Sequence, residues 1–281
     1  MGVDQRIYRR DLRCSNLRKR KEPMIRIQQL TLSPGHSREE LVCRAAGILK
    51  IRKDQIEALS IVKQSIDARK KPEILFSYVV DVTLRQLDEK KCVARCKNPR
   101  VSMETKVPYR FPATGKNPLP ERPVIIGTGP AGLFCGYLLA KHGYRPILIE
   151  RGKRVDERRK DVEAFWAGGA LDPESNVSFG EGGAGTFSDG KLNTLVKDPL
   201  GRSREALSIF VAHGAQPQIL YEAKPHIGTD VLTGVIGRMR DQIEAWGGQV
   251  RFGLRADGFR IKEGRIEGIF LSDGSFQTCH D

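Results

Sequence analysis

No stretch of this sequence approaches the roughly 20 consecutive apolar residues that a membrane-spanning helix requires, so no membrane span is expected. The first residues hold no apolar core of the kind a secretory signal peptide carries. Cysteine is present but unpatterned: Cys14, Cys43, Cys92, Cys96, Cys135 and Cys279 lie far apart, apart from Cys92 and Cys96. Those two are separated by three residues rather than two, and no second pair follows at zinc-site spacing. The reading is reduced thiols in a cytoplasmic protein, with no metal site. A Cys-x₄-Cys redox pair is also missing, which argues against disulfide-reductase chemistry.

Acidic residues are scarce in one half of the chain only. The net charge is +14, yet residues 123–281 carry 20 basic and 20 acidic side chains. The excess sits in residues 1–23, with 8 basic and 3 acidic, and in residues 24–122, with 20 and 11. A positive half attracts anionic partners, nucleic acid among them, and it is equally what a solvated face looks like. Residues 1–22 read as a basic disordered tail. A plastid transit peptide is the alternative there, and a single serine (Ser15) with Asp4, Asp11 and Glu22 argues against it.

What is there divides into an N-terminal α+β module over 23–112, a Pro-rich linker over 113–122 and a cofactor domain over 123–281. Met24–Leu32 alternates as a strand. Ser37 is placed as an N-cap with Glu40 completing a capping box, and a helix follows through Ala45 and Leu49. In Glu73–Leu84, Ile74, Phe76, Tyr78, Val80 and Val82 share one face by period two. A ferredoxin-like arrangement is one form such a module takes. Pro108, Pro112, Pro118, Pro120 and Pro123 mark an extended segment. Further on, Leu232, Ile236, Met239, Ile243 and Trp246 recur at helical steps. Short strands are then expected, with turns at Asp257-Gly258, Glu263-Gly264 and Asp273-Gly274.

The strongest motif is Val124-Ile125-Ile126-Gly127-Thr128-Gly129-Pro130-Ala131-Gly132, a G-x-G-x-x-G between a strand and a helix. Gly127 permits the tight turn, Gly129 lets a pyrophosphate approach the backbone, and Gly132 lets the helix pack on the strand. Free N–H groups at the helix start then face the phosphates. Glu150 closes the next strand roughly 20 residues on, where an acid accepts hydrogen bonds from a ribose. This is a Rossmann-type βαβ unit of an α/β fold.

NAD and FAD share that fingerprint. Glu150-Arg151-Gly152, with Arg158 and Arg159 beyond, resembles the extended signature of glutathione-reductase-like flavoproteins. That resemblance implies Glu150 on the AMP ribose and Arg158 near the FAD phosphates. A second loop, Ser178-Phe179-Gly180-Glu181-Gly182-Gly183-Ala184-Gly185-Thr186-Phe187-Ser188-Asp189-Gly190-Lys191-Leu192, has glycines enough to run beside a flat ring. It adds hydroxyls at Thr186 and Ser188 and a cation at Lys191, where charge tunes flavin electronics.

With Ala223-Lys224-Pro225-His226-Ile227-Gly228-Thr229-Asp230 downstream, this run is similar to a family of large FAD-dependent dehydrogenases. The family is mainly bacterial, with plastid relatives, and carries an α+β module ahead of the FAD fold. The resemblance covers residues 24–281. It implies FAD, with NAD(P)H as one electron donor, and cofactor contacts at Gly127, Gly129, Pro130, Ala131, Gly132, Glu150, Arg151, Arg158, Gly183, Gly185, Thr186 and Ser188. Ala256 stands where relatives place a valine whose backbone meets the adenine. Lys224 and His226 are the substrate-side candidates, and Lys191 joins them as a candidate for catalysis. Family members continue for a comparable length, so a C-terminal half of the same protein is expected, and the FAD-binding fold reads as truncated.

The expected activity is a flavin-mediated two-electron oxidoreductase. The competing reading is a nucleic-acid-binding basic module fused to a redox-sensing or vestigial flavin domain. In it Phe76 and Tyr78 would stack on bases, but the Gly-aromatic pattern of RNA-recognition folds is absent.

Overall fold

The computed structural model describes residues 23–279 apart from 189, 193 and 195, so the tail expected over 1–22 lies outside the described residues. By contacts the chain divides into two units, one built on residues up to 109 and the other spanning most of 110–281.

In the first unit the order is β1 (Pro23–Leu32), α1 (Arg38–Leu49), β2 (Ile56–Lys70), β3 (Glu73–Leu84), α2 (Glu89–Cys96) and β4 (Val101–Thr105). The antiparallel sheet runs β2-β3-β1-β4, the split βαβ topology of the ferredoxin-like class. Alternation directs Ile25, Ile27, Tyr78, Val80 and Val82 to one face, where they pack with Leu41, Ala45, Leu49, Cys92 and Cys96 of the two helices. The capping box forms as the sequence requires, with Glu40 N on Ser37 Oγ at 3.2 Å and Ser37 N on Glu40 Oε2 at 2.5 Å. On the other face Arg26 lies opposite Asp81 across β1 and β3 and pairs with it through two hydrogen bonds of 2.8 and 2.9 Å. Tyr78 is 4% exposed and Phe76 packs on the same core, so neither ring is presented for base stacking.

The sequence division assigned everything after residue 123 to one domain. By contacts, residues 193–208 and 217–225 group with the N-terminal sheet instead. The cause is on the edge strand β2: Gln64 N donates to Tyr221 O at 2.7 Å, and Ala223 N donates to Gln64 O at 2.9 Å. Lys224 therefore falls in the first unit and His226 in the second.

The second unit holds a parallel sheet of β5 (Val124–Ile126), β6 (Ile147–Ile149) and β7 (Gln249–Arg251), in the order β5-β6-β7. Its helices are α3 (Pro130–Lys141), α4 (Val155–Trp166), α6 (Thr229–Ala245) and the end of α5 (Arg202–Ala212). Leu148 fits against α3 because Gly136 has no side chain there; a Cβ would sit 2.7 Å from its methyl group. An antiparallel sheet, β10 (Phe276–Thr278), β9 (Arg265–Leu271) and β8 (Ala256–Lys262), packs Ile269 and Leu271 on Ile147 and Ile149. The Glu263-Gly264 turn forms with both residues at positive φ. Asp257-Gly258 does not turn the chain: both lie inside β8, at a bulge between Ala256 and Gly258.

His213 is 8% exposed; a ring nitrogen meets Ile209 O at 2.8 Å and the edge of Tyr137 is packed against it. Burial pushes its pKa below the usual 6.5, helped by the nearby Arg238 charge and opposed by the Ile209 carbonyl. Below about pH 6.5 the unfolded chain takes up this proton before the folded one, so the stability contributed by neutral His213 declines as pH falls. Urea midpoints of wild type should therefore drop more between about pH 7.5 and 5.5 than those of His213→Gln. Equal drops would assign the acid sensitivity to other groups.

Candidate dinucleotide site

The site begins where β5 ends. Gly127 takes φ +91 and its N–H donates to Ile149 O at 2.7 Å, which closes the turn against β6. Gly129 caps α3 with extended backbone and no side-chain cap, and Pro130 opens the helix where a missing N–H costs nothing. A Cβ on Gly127 or Gly129 would meet nothing within 4 Å, so open space lies over the turn. Gly132 is the opposite case, because a Cβ there would overlap the carbonyl oxygen of Gly127.

Glu150 ends β6 at 4% exposure. Its Oε2 accepts from Thr128 N at 2.7 Å and from Thr128 Oγ1 at 2.8 Å, and its Oε1 accepts from Gly152 N at 2.9 Å. The carboxylate thus ties the glycine turn to the end of the second strand.

The second glycine loop docks on that turn. Gly182 N donates to Thr128 O at 2.9 Å, and a Cβ on Gly183 would lie 3.0 Å from Pro130 Cδ and 3.2 Å from Gly129 Cα. Gly152 is needed for the same approach, since a Cβ there would reach within 2.5 Å of Gly180 Cα. Arg158 of α4 is fully buried and its guanidinium is taken up by loop carbonyls. Burial pushes its pKa down to about 10, while the Glu150 and Glu181 carboxylates pull it up, so it remains charged at neutral pH.

Glu181, also without exposure, accepts from Val155 N at 2.7 Å and from Arg240 Nη1 at 2.9 Å. Burial raises its pKa against those two partners. Its Oε1 and the Thr186 hydroxyl are buried polar atoms without a hydrogen-bond partner among the described residues. In front of α4, Arg151 pairs with Glu174 at 2.5 Å and lies over the Phe179 ring, and Arg255 holds the second Glu174 oxygen at 2.7 Å.

Residues 125–162 match the model of an NAD(P)-binding Rossmann-like domain. The chain carries a Rossmann-like dinucleotide-binding unit. Residues 24–83 match a domain of unknown function, DUF8436. An uncharacterized protein of Clostridium beijerinckii is 41% identical over 255 residues, which are 91% of this chain and 47% of that protein. The chain thus spans about half the length of that relative, which has a further region of its own. L-amino acid oxidase of Cerastes cerastes is 44% identical over 52 residues, 17% of this chain and 10% of that protein. Among solved structures, the chain is similar to Thermovibrio ammonificans THI4 at TM-score 0.32 and 20% identity, covering 53% of this chain and 46% of that one. Glycine oxidase of Bacillus cereus is similar at TM-score 0.37 and 13% identity, covering 57% and 54%.

Around the Rossmann-like unit the structure brings together Gly127, Gly129, Pro130, Ala131, Gly132, Glu150 and Gly183, with Gly185 and Thr186 in the short helical turn that follows. Ser188 Oγ donates to Gly185 O at 2.9 Å and closes that turn. Lys191 and His226 are joined by an antiparallel backbone bridge, next to a bond from Ile227 N to Gly190 O at 2.9 Å. Lys224 groups with the other unit. Ala256 opens β8 opposite Leu271.

Sequence reasoning missed Thr128, Gly152, Glu181 and Arg240. Two signals were available for the last pair: a carboxylate inside a run of glycines, and an arginine one step past Met239 on the buried stripe of α6, where a charge is kept only with a partner.

No helix among the described residues is long and apolar enough to cross a membrane, and no cluster of His, Cys, Asp or Glu among them could hold a metal ion.

Proposed function

We propose that this protein is an FAD-dependent oxidoreductase. The observation that carries the reading is the docking of the second glycine loop on the fingerprint turn through Gly182 N and Thr128 O. An NAD-binding unit needs only the first turn. A loop of glycines seated beside it extends the cradle toward a second, flat ring system. The 52-residue likeness to an L-amino acid oxidase falls in with oxidoreductase chemistry in general.

The residues present fit such a cofactor. The space over Gly127 and Gly129 and the uncapped start of α3 suit a pyrophosphate. Glu150 sits at the strand end from which a carboxylate reaches a ribose, and its negative charge disfavours a 2′-phosphate. Thr186 has a buried hydroxyl with bonding capacity left over. A bound flavin would supply two-electron transfer, with NAD(P)H as one candidate donor. The chain's own part is to bind and orient it. His226 is the candidate for a substrate-side role and Lys191 for tuning the ring; the two are exposed and joined by a backbone bridge.

The test is the colour of the purified full-length protein. With flavin supplied during expression it is expected to be yellow and to release FAD on heat denaturation. Release of a nicotinamide, or of nothing, would sink the reading.

A further inference from the structure

We propose that Arg158 is a positioning residue, which holds the second glycine loop in the backbone conformation that seats it against the dinucleotide turn. The ligand's identity rests on the flavin reading above; the loop's dependence on Arg158 rests on geometry alone.

The guanidinium donates from Nε to Asn176 O at 2.8 Å, from Nη2 to Val177 O at 2.8 Å, and from Nη1 to Glu181 O at 2.7 Å, Gly183 O at 3.0 Å and Gly180 O at 3.3 Å. Arginine has five N–H donors in a planar fork, and here all three nitrogens donate to the loop. The expectation that Arg158 lies on FAD phosphates gives way to a different role: it acts on a ligand through the backbone it shapes. Five carbonyl dipoles converging in a buried place repel one another, and a cation among them is what makes that arrangement stable.

Peptide planarity then fixes the other side of the loop. The Gly180 and Glu181 carbonyls point at Arg158, and the opposed N–H of Gly182 goes to Thr128 O at 2.9 Å. The Gly183 carbonyl also points at Arg158, so the N–H of Ala184 points away from it. Gly180 sits at φ +117 directly under the arginine stem, where any Cβ would overlap Arg158 Cδ. The Phe187 ring covers the guanidinium at 4.8 Å. One side chain therefore touches the loop from residue 176 to residue 187. Lysine cannot replace it, because an ammonium has three donors in a compact head and cannot span this set.

The experiment compares wild type, Arg158→Lys and Arg158→Ala. Hydrogen exchange over residues 176–187 is read without ligand, and FAD titration is read by flavin fluorescence and the visible spectrum. Both variants should exchange faster over 176–187 while β5, α3 and β6 keep wild-type protection. FAD affinity should fall about tenfold or more. Low-millimolar guanidinium should restore protection and affinity to Arg158→Ala, and the same concentration of ammonium should not. If Arg158→Ala fails to fold, Arg158→Lys decides, since it keeps the charge and most of the stem. Wild-type loop protection together with wild-type FAD affinity in Arg158→Lys would overturn the proposal. A wild type that takes up no FAD, with the loop responding as expected, would refute the flavin reading and leave the positioning role standing.

Discussion

Replacing Glu150 by alanine is expected to weaken FAD binding by about ten- to a hundredfold, the loss of hydrogen bonds to a charged acceptor worth roughly 1.5–3 kcal/mol. The structure adds a second effect. Both carboxylate oxygens already serve the turn, holding Thr128 N, Thr128 Oγ1 and Gly152 N. Alanine leaves those buried donors unpaired, so the dinucleotide unit should also lose stability, by about 1–3 kcal/mol for each donor that water cannot reach. The β1–β4 sheet, which shares none of these bonds, should melt as in wild type. Isothermal titration with FAD and a two-probe thermal melt measure the two effects separately. Glu150→Gln is the informative control: it removes the charge, and its amide oxygen can still accept from Thr128 N and Oγ1 while its NH2 can no longer accept from Gly152 N. FAD affinity unchanged in Glu150→Ala would show that this is not the ribose acid.

Gly132→Ala should be more damaging than its size suggests. The added methyl group would overlap the Gly127 carbonyl oxygen, with Gly127 C at 3.1 Å and Ile125 Cγ2 at 3.3 Å crowding it further. Backbone cannot rotate away as a side chain can, so α3 must separate from β5. Overpacking of this kind costs about 1–3 kcal/mol where side chains can adapt, and here they cannot. We expect loss of cofactor binding altogether, with the dinucleotide unit partly unfolded under conditions where Gly129→Ala, whose Cβ would meet nothing within 4 Å, remains folded. Circular dichroism and cofactor retention on gel filtration check this. A folded, cofactor-bearing Gly132→Ala would mean that the helix does not pack as closely as described.

The parts of the molecule legible in the sequence are those whose cause is local. The fingerprint turn, the strand to Glu150 and the capping box of α1 each follow from residue types at fixed spacing, and each forms. The long β2 was not foreseen. Its 15 residues pair with β3 through three register shifts, which scramble the alternation that marks a strand. The short α2 carries too few apolar residues in step to stand out, and α5 is a short run in which only Ile209 is buried. In the site, glycine signals announced both loops. What joins them was hidden, because a buried arginine and a surface arginine are spelled alike. Arg158 and Arg159 are neighbours in sequence, yet the first is sealed in the loop and the second reaches the Thr233 hydroxyl at part-buried depth.

The bond pair between Gln64 and residues 221 and 223 bears on how this chain is made. The ferredoxin-like unit is finished by a segment that leaves the ribosome more than 150 residues after β2 does, and most of the dinucleotide unit is translated in between. Until then the Gln64 N–H and C=O on the β2 edge lack these partners, and an open strand edge is a form of nascent chain prone to pairing with another copy. A contact of such sequence separation also slows folding, because the loop it closes must be ordered before the bond rewards it. Cutting the gene at the Pro-rich segment would remove those two bonds at Gln64. A domain dissection that respects the topology has to carry residues 217–225 along with the N-terminal sheet, for instance by circular permutation or a short linker.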